Sequence, residues 1–280
     1  MINRMLKAGV VGWPISHSLS PTIHKYWLQQ ASICGDYIPQ AIEPHNLKNF
    51  LYQLSGEGWR GVNVTLPHKR AAAEYVDHLD LSAEKTGAVN TIVVQKDGSL
   101  KGINTDGYGF LKNLQQYHPD CLVNGEPVVV LGAGGAARAI LTTLIENGSS
   151  DIRLVNRDQS KAEYLASEFN NKIDVYSWSD RSIILTEVKL LINTTSLGMI
   201  GQEPLEINLA ALPDTAVVYD VVYSPLETDL LRNAKQRGNE TVDGLGMLLH
   251  QAQLGFYKWF GVSPEVSSDL RAHVINAMKN

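Results

Sequence analysis

A strand, a glycine-rich turn and a helix follow one another in VVVLGAGGAARAILTTLIENG, which begins at Val128. Gly132, Gly134 and Ala137 fit the pattern G-x-G-x-x-A, directly after the apolar run and at the opening of the helical pattern. The first glycine allows a tight turn, the second lets the backbone approach a pyrophosphate, and the helix N-terminus offers unpaired N–H groups. The segment predicts a dinucleotide-binding fold, with a simple packing turn as the alternative.

The end of the next predicted strand, DIRLVNRD, bears on which dinucleotide binds. An acidic side chain at this place accepts hydrogen bonds from a ribose 2′-hydroxyl, whereas a nearby Arg accommodates a 2′-phosphate. Asn156 stands where an acidic residue is common in NAD-binding proteins, and the planar guanidinium of Arg157 suits a phosphate. We therefore predict NADP as the cofactor. Arg157 as an ordinary solvated side chain is the alternative, and Asp158 is an unfavourable neighbour for a phosphate.

Length and charge narrow the class of protein. The chain has 280 residues, which predicts two domains with separate cores. The formal net charge is -5 and no long basic run occurs, which argues against a nucleic-acid partner. Cys34 and Cys121 are the only cysteines, and no run of about 18 apolar residues suggests a membrane span. We expect a cytoplasmic protein without a membrane partner.

The first part of the chain alternates short β-type runs with helical patterns. AGVVGW, YIPQAIE and GVNVTLP are strand candidates, separated by SPTIHKYWLQQASI and HNLKNFLYQL. This alternation predicts parallel strands joined by helices. Asp97-Gly98 lies between two further strand-like runs and predicts a β-hairpin, so we expect a mixed, mostly parallel sheet. The loose stretch HPDCLVNGEP then suits a connection between domains.

The second part predicts a doubly wound α/β domain of Rossmann type. Further strand candidates are DVYSW, LLINTTS and AVVYDVVY, and TDLLRNAKQRG predicts a helix. From TVDGLGMLLHQAQLGFYKWFG to the end the chain has a helical pattern. One apolar stripe at 3.6-residue spacing comprises Leu245, Leu248, Leu249, Ala252, Phe256 and Trp259.

Polar residues collect at the predicted strand ends of the first part, in SHSLSP, NVTLPHK, GAVNT and NTDG. Open α/β sheets bind ligands at such ends, and neutral hydroxyl and amide groups suit a polyhydroxylated substrate. Lys69 and Asp106 are the ionisable candidates, with Lys69 handling a proton while Asp106 holds it in place. Taken singly, Ser18 or Ser20 is explained as a helix cap, and Thr65 and Asn90 as turn residues, because turn chemistry explains most such clusters.

Three histidines in the same region, His17, His24 and His68, lack metal-ligand spacing. We interpret them as structural residues. No metal is therefore expected in this protein.

The motifs together resemble the shikimate dehydrogenase family over essentially the whole chain. They are SHSLSP, NVTLPHK, GAVNT, NTDG, GAGGAARA, NR, NTTSLGM, YDVVYSPLETDLL and DGLGMLLHQA, in that order. The resemblance implies reversible NADPH-linked reduction of 3-dehydroshikimate to shikimate in aromatic amino-acid biosynthesis. It also implies two α/β domains flanking a cleft: a substrate-binding domain of residues 1–106, completed by terminal helices in 243–280, and a Rossmann NADP-binding domain of residues 107–242.

The resemblance also implies roles for individual positions. Ser16 and Ser18 would bind the substrate carboxylate, and Lys69 with Asp106 would be the catalytic pair. The substrate ring hydroxyls would be held by Asn63, Thr65, Asn90 and Gln251. The pyrophosphate would be cradled by Gly132, Ala133, Gly134, Gly135 and Ala136. The adenosine 2′-phosphate would meet Asn156, Arg157 and Lys161. The nicotinamide side of the cleft would be lined by Thr194, Tyr223, Gly244 and Met247, with Tyr223 also counted among the substrate-binding residues.

Two positions depart from the family pattern. Asp158 stands where NADP-using relatives usually have Thr, and Lys161 where Arg is usual. Both bear on the strength of the preference for NADP. A dual-specificity quinate/shikimate dehydrogenase is the nearest alternative, and the intact Ser18 favours shikimate. A non-catalytic nucleotide-sensing protein would not need Lys69 and Asp106 together. The sequence leaves monomer and homodimer equally open.

Overall fold

The computed structural model describes residues 5–56, 58–119, 121, 126–170 and 172–279. The backbone forms two compact units, Met1–Asp106 with Leu249–Asn280, and Gly107–Leu248. The sequence-based division ends the second domain at residue 242, whereas Met247 still packs in the core of the second unit. Much of the expected connection HPDCLVNGEP, residues 120 and 122–125, lies outside the described residues.

A six-stranded sheet forms the centre of the first unit. Its strands are β1 (Leu6–Gly12), β2 (Gly35–Ala41), β3 (Trp59–Val64), β4 (His78–Leu79), β5 (Thr91–Val94) and β6 (Leu100–Ile103). Its helices before the second unit are α1 (Ser20–Gln30), α2 (Leu47–Gln53), α3 (Lys69–Tyr75) and α4 (Leu81–Thr86), with a short 3₁₀ turn at Pro44–Asn46. The strand order is β2-β1-β3-β5-β6-β4, and β5 runs antiparallel to both neighbours. The predicted mixed, mostly parallel sheet is confirmed.

The β5–β6 hairpin forms where Asp97-Gly98 predicts it. Gly98 has φ +89°, which favours glycine, and an Asp97 carboxylate oxygen accepts from the Ser99 N–H at 3.0 Å. The Gln95 N–H donates to the Ser99 carbonyl at 2.8 Å and closes the turn. The hairpin reverses β5, so the start of β5 lies at the sheet edge where β3 and β6 end.

Aromatic residues dominate one face of the first unit. Trp27, Tyr37, Phe256 and Trp259 are all almost fully buried. The Trp259 indole N–H donates to the Ile92 carbonyl at 2.9 Å and connects the helix Gly244–Phe260 to strand β5. Because large aromatic side chains bury much apolar area, this cluster is a main source of stability for the unit.

A second six-stranded sheet, entirely parallel, forms the centre of the other unit. Its strands are β7 (Val128–Leu131), β8 (Ile152–Val155), β9 (Asp174–Tyr176), β10 (Leu190–Asn193), β11 (Val217–Asp220) and β12 (Glu240–Val242). Its helices are α5 (Asp106–Tyr117), α6 (Gly135–Glu146), α7 (Gln159–Ser167) and α8 (Asp229–Gln236), with 3₁₀ backbone at Trp178–Leu185. The order β12-β11-β10-β7-β8-β9 is that of a doubly wound dinucleotide-binding sheet, whose order reverses beside β7.

The C-terminal region differs in part from its sequence-based prediction. The helical pattern assigned from Thr241 onward is wrong at its start, because Thr241 and Val242 lie in strand β12, which pairs with β11. A three-residue edge strand is too short to show a period of two. Helix α9 (Gly244–Phe260) then ends at Gly261, which has φ +73°, and α10 (Ser268–Ala277) follows.

The predicted apolar stripe of α9 is buried along most of its length. Leu245, Leu249, Ala252, Phe256 and Trp259 are at most 3% exposed. None of the helices within the described ranges is both long and apolar enough to span a bilayer.

Gly61 provides a test of how closely α9 packs on the first sheet. Its φ is +153°, and an added Cβ would lie 2.0 Å from the Ile92 carbonyl oxygen and 2.3 Å from the Trp259 indole nitrogen. We expect Gly61→Ala to lower the free energy of unfolding by about 3 kcal/mol, since backbone strain and overpacking act together. Urea unfolding would measure the loss.

Gly98→Ala is the matched control, because Gly98 also has positive φ but the nearest atom to its added Cβ is 3.5 Å away. Its expected loss is about 1 kcal/mol, from backbone strain alone. Equal losses in the two variants would contradict the proposed close packing at Gly61.

Candidate functional site

Lys69 and Asp106 form an ion pair in the first unit. Lys69 is the first residue of α3, just beyond β3, and Asp106 follows β6. The Lys69 Nζ and an Asp106 carboxylate oxygen are 2.6 Å apart, and the two side chains are 27% and 11% exposed. A partly buried ion pair of this kind holds an ammonium group in a defined place beside a sheet edge.

The Asn90 amide holds the Asp106 carboxylate from the opposite side. Asn90 Nδ2 donates to Asp106 Oδ1 at 2.8 Å and to Thr105 Oγ1 at 3.0 Å. The Thr105 N–H donates back to Asn90 Oδ1 at 2.9 Å, and the Asp106 N–H donates to Asn104 Oδ1 at 3.0 Å. Hydrogen bonds reach both carboxylate oxygens, so Asp106 is oriented to hold a lysine ammonium in place.

Asn63 lies at the end of β3 and is 5% exposed. The Tyr37 hydroxyl donates to its Oδ1 at 2.6 Å, while its Nδ2 donates to Thr91 Oγ1 at 3.0 Å and to the Asn90 carbonyl at 3.3 Å. Burial raises the pKa of Tyr37 well above its usual value, so the phenol remains a donor. Both amide hydrogens of Asn63 are therefore used within the protein, and its Oδ1 is oriented by the Tyr37 hydroxyl.

The two serines of SHSLSP differ in their surroundings. Ser16 is exposed, whereas Ser18 is half-buried and its hydroxyl accepts from the Ser20 N–H at 3.3 Å, at the start of α1. The Ser18 N–H donates to the Ile15 carbonyl at 3.1 Å and closes a turn. Ser18 thus makes a local hydrogen bond just before α1, whose N-cap position is Leu19 and has no side-chain cap, while Ser16 lies on the exposed part of the loop.

Two further predicted residues lie in this unit. Thr65 is half-buried and continues the β1–β3 ladder, because its N–H donates to the Val11 carbonyl at 2.9 Å. Gln251, on α9, accepts from the Thr105 hydroxyl at 3.2 Å through Oε1. Gln251 is thereby connected to the Asn90 network.

The buried histidines of this unit are packed against carbonyls and rings. His68 Nε2 is 2.7 Å from the Ile42 carbonyl oxygen, and burial lowers its pKa. His24 stacks on Tyr37 with ring centroids 4.1 Å apart, and burial lowers its pKa to about 3. Both rings are therefore neutral near pH 7. Within the described residues, no group of three or more His, Cys, Asp or Glu side chains is placed to hold a metal ion.

The glycine turn of the second unit has the geometry that the sequence pattern requires. Gly132 has φ +107°, and an added Cβ would lie 2.6 Å from Thr194 Oγ1, so only glycine fits. Added Cβ atoms at Gly134 and Gly135 would meet nothing within 4 Å. Gly134 precedes α6 and supplies no side-chain cap to its first turn.

This turn fits a pyrophosphate. The backbone amides at the start of α6 receive no hydrogen bond from a capping side chain, and open space adjoins them. Ala133 and Ala136, the small neighbours of these glycines, complete the five predicted positions. A helix N-terminus with space beside it binds anionic groups through N–H donors and the helix dipole.

The two charged side chains just beyond β8, Arg157 and Asp158, have different partners. Asp158 caps α7, since its carboxylate accepts from the Lys161 N–H at 3.3 Å and lies 3.5 Å from Lys161 Nζ. Asn156 Nδ2 donates to the Asp158 carbonyl at 2.8 Å. Arg157 instead pairs with Glu203 at 2.9 Å. The sequence pattern predicted neither the cap nor the Glu203 pair.

The remaining predicted residues of the second unit lie near its strand ends. Thr194 Oγ1 donates to the Leu131 carbonyl at 2.7 Å. A Cβ at Gly244 would lie 2.1 Å from the Val221 carbonyl oxygen, so this position requires glycine. Tyr223 is partly buried, which raises its pKa, and Met247 is 8% exposed and packs in the core.

One buried carboxylate in this unit was missed by sequence reasoning. Asp220, at the end of β11, accepts from Asn193 Nδ2 at 2.9 Å, from Thr228 Oγ1 at 2.7 Å and from the Val222 N–H at 3.0 Å. Burial raises its pKa to about 6, although these hydrogen bonds oppose the rise. The group ties the ends of β10 and β11 to the start of α8. Its sequence signal is a single acid directly after the apolar run AVVY.

The second unit is a doubly wound nucleotide-binding domain of Rossmann type, and the first carries a polar site built around an ion pair. Family models match residues 10–92 as "Shikimate dehydrogenase substrate binding domain", 115–221 as "Shikimate / quinate 5-dehydrogenase" and 244–272 as "Shikimate 5'-dehydrogenase C-terminal domain". The chain belongs to the shikimate dehydrogenase family.

Relatives and solved structures agree over almost the full length. The NADP(+) shikimate dehydrogenase of Paramagnetospirillum magneticum is 51% identical, covering 96% of this chain and 98% of its own. A shikimate dehydrogenase crystallised with NADP+ has a TM-score of 0.91 and 33% identity, covering 99% of this chain and 96% of its own. A 5-ketofructose reductase of Gluconobacter sp. strain CHM43 has a TM-score of 0.90 and 34% identity, covering 98% and 99%. The same fold therefore accommodates more than one ketone substrate.

Proposed function

We propose that this protein catalyses the reversible NADPH-linked reduction of 3-dehydroshikimate to shikimate. The observation that carries the proposal is the ion pair of Lys69 with Asp106, 2.6 Å apart and held by the Asn90 amide. Family membership and the open glycine turn of the second unit support the redox chemistry. The step belongs to aromatic amino-acid biosynthesis. We also infer a cytoplasmic location, because two free cysteines suit a reducing compartment.

The dinucleotide, when bound, supplies or accepts the hydride. Lys69 then has the proton-transfer role: its ammonium gives a proton to the ketone oxygen as that oxygen becomes a hydroxyl, and the neutral amine takes the proton in the reverse direction. Asp106 fixes the lysine in place through their ion pair. Asn90 keeps the Asp106 carboxylate oriented, so the position of the ammonium does not depend on solvent.

We assign substrate binding to the polar groups around this pair. Neutral hydroxyls and amides match a ring that carries several hydroxyl groups, and the proposed ligands around the pair are Asn63, Thr65, Asn90 and Gln251. Ser16 and Ser18 are the proposed donors to the substrate carboxylate. In this proposal Asn63 accepts a hydrogen bond from a ring hydroxyl through its Oδ1, because its amide hydrogens are used within the protein.

For the cofactor we assign the pyrophosphate to the turn from Gly132 to Ala136, where the backbone amides of α6 begin. Arg157 is the proposed ligand of the 2′-phosphate, with Asn156 and Lys161 beside it. Thr194, Gly244 and Met247 are assigned to the nicotinamide end.

Quinate is the second candidate substrate, because one matching family model includes quinate dehydrogenases. The deciding assay uses the purified protein with NADP and NAD in parallel, and tests shikimate, quinate and, in the reductive direction, 5-ketofructose. We expect the highest kcat/KM for shikimate with NADP. Turnover of none of these compounds with either cofactor would refute the proposed activity.

Lys69→Ala tests the proton-transfer role. We expect turnover to fall about 100-fold to 10,000-fold at unchanged thermal stability, since general acid-base assistance is typically of that size. Steady-state kinetics across pH measure turnover, thermal unfolding measures stability, and the Kd for NADP checks that the cofactor still binds. Arg70→Ala removes the neighbouring exposed cation and should leave turnover unchanged. Near-normal activity of Lys69→Ala across pH would contradict the assignment.

Ser16→Ala and Ser18→Ala test carboxylate binding. We expect each change to raise the KM for shikimate more than it lowers kcat, because the carboxylate is remote from the reacting carbon and is held equally in ground and transition states. Ser18→Ala should also cost up to about 1 kcal/mol of stability through the lost hydrogen bond from the Ser20 N–H.

Ser267→Ala is the control for capping alone. The Ser267 hydroxyl caps α10 by accepting from the Leu270 N–H at 3.2 Å. We expect this variant to lose stability with unchanged kinetics. If Ser16→Ala and Ser18→Ala behave in the same way, the serines serve the fold and not the substrate.

Arg157→Ala and Asp158→Thr test the cofactor assignment. Arg157→Ala should weaken NADP binding by about tenfold to a hundredfold and leave NAD nearly unchanged, since a hydrogen bond to a charged group contributes about 1.5–3 kcal/mol. Asp158→Thr should strengthen NADP alone, because Thr can still cap α7 but carries no negative charge. The ratio of kcat/KM for the two cofactors measures both. A wild type that prefers NAD would overturn the assignment of NADP.

A further inference from the structure

A pocket adjoins Arg157 in the second unit. Its volume is about 300 Å³, and its lining residues are Arg157, Trp178, Arg181, Leu197, Glu203, Pro204 and Glu206. Two guanidinium groups and two carboxylates thus share one small surface. The pocket therefore has two positive and two negative side chains beside the place assigned to the 2′-phosphate. That phosphate carries close to two negative charges, so the carboxylates repel it.

The two guanidinium groups are held differently. Arg181 donates through Nε to the Glu206 carbonyl at 2.7 Å and through Nη1 to the Trp178 carbonyl at 2.8 Å, and its guanidinium lies 4.9 Å from the Trp178 ring centroid. Among the residues that the structure describes, Arg157 makes one side-chain hydrogen bond, from Nη1 to Glu203 Oε2 at 2.9 Å. Arg181 is fixed by neutral groups, whereas Arg157 is held by a charge.

The Arg157–Glu203 ion pair is exposed and monodentate. The two side chains are 60% and 77% exposed, and the contact is not bidentate. Such pairs orient a guanidinium weakly, so Glu203 does little to preorganise Arg157 for a ligand. Its carboxylate does, however, place a negative charge within 3 Å of the group that a phosphate would contact.

We propose that Glu203 is a specificity-determining residue that limits the preference for NADP by competing with the 2′-phosphate for Arg157. This inference rests on the proposed role of Arg157 in the cofactor site. Binding of NADP requires the guanidinium to leave Glu203 or to share its charge with it, and the carboxylate also repels the phosphate. Binding of NAD, which has hydroxyls at that place, carries neither cost.

Glu203→Gln is the sharpest test, since Gln keeps the shape and an acceptor for Arg157 but removes the charge. We expect the Kd for NADP, measured by isothermal titration calorimetry, to fall about two- to fivefold, the range that an exposed ion pair provides. The Kd for NAD should stay unchanged, and the kcat/KM ratio should shift toward NADP by the same factor. Thermal unfolding checks that the fold is intact.

Glu206→Gln is the matched control. Glu206 lines the same pocket, but it meets Arg181 through its backbone carbonyl. We expect an effect on NADP smaller than that of Glu203→Gln. Equal effects would show a general charge effect of the pocket and would overturn competition for Arg157.

The double variant Arg157→Ala/Glu203→Gln separates this inference from the cofactor assignment. If competition acts through Arg157, the gain from Glu203→Gln shrinks in the Arg157→Ala background to the part that comes from direct repulsion of the phosphate; a gain of full size there overturns it. If Arg157→Ala weakens NADP binding but Glu203→Gln leaves that binding unchanged or weakens it, the inference is refuted while the cofactor assignment stands. Arg157→Ala that leaves NADP binding unchanged refutes the cofactor role of Arg157, and the inference with it.

Discussion

The Asn90 amide is the point on which the polar site of the first unit depends. It stands just before β5, the strand that runs against its neighbours, and so lies at the edge where β3 and β6 end. Its backbone joins both strands: the Val64 N–H donates to the Asn90 carbonyl at 2.8 Å, and the Asn90 N–H donates to the Ile103 carbonyl at 3.1 Å. Its side chain holds Asp106, and through Asp106 it positions Lys69. Asn90 therefore links the strand order, the backbone hydrogen bonds between strands and the Lys69–Asp106 ion pair.

The second unit also holds the loops after its strands with buried polar side chains, but through other residues. Loops after parallel strands need partners for their backbone N–H groups, and buried polar groups are costly unless they are hydrogen-bonded. Asn193 accepts from the Thr195 N–H at 3.1 Å, and Asp220 accepts from the Val222 N–H at 3.0 Å. The two side chains also bond to each other at 2.9 Å. The loops beyond β10 and β11 are thus fixed by buried side chains, while the turn at Gly132 is fixed by backbone geometry alone.

Sequence reasoning succeeded where a single residue determines a local geometry. Gly132 predicted a turn that excludes every side chain, and Asp97-Gly98 predicted the hairpin that reverses β5. It failed where the determining partner is distant along the chain. Nothing local to Arg157 indicates Glu203, and nothing in YIPQAIE indicates that the Tyr37 hydroxyl orients Asn63, 26 positions away. Asp158 shows a third case, since an N-cap is predictable from Asp before a helix but was interpreted only through its effect on a phosphate.

The two halves of the proposed chemistry differ in how firmly the fold determines them. The proposed catalytic pair is partly buried and is held by neutral amides, whose hydrogen bonds have strict geometry and change little with ionic strength. The groups around Arg157 are exposed charges, whose interactions are weak, screened and nearly independent of the core. Substitutions at Asp158 or Glu203 can therefore alter the balance between the two dinucleotides without disturbing the sheet or the ion pair. Cofactor preference should consequently vary among members of one fold more readily than the reaction itself, because the residues that set it carry little of the stability.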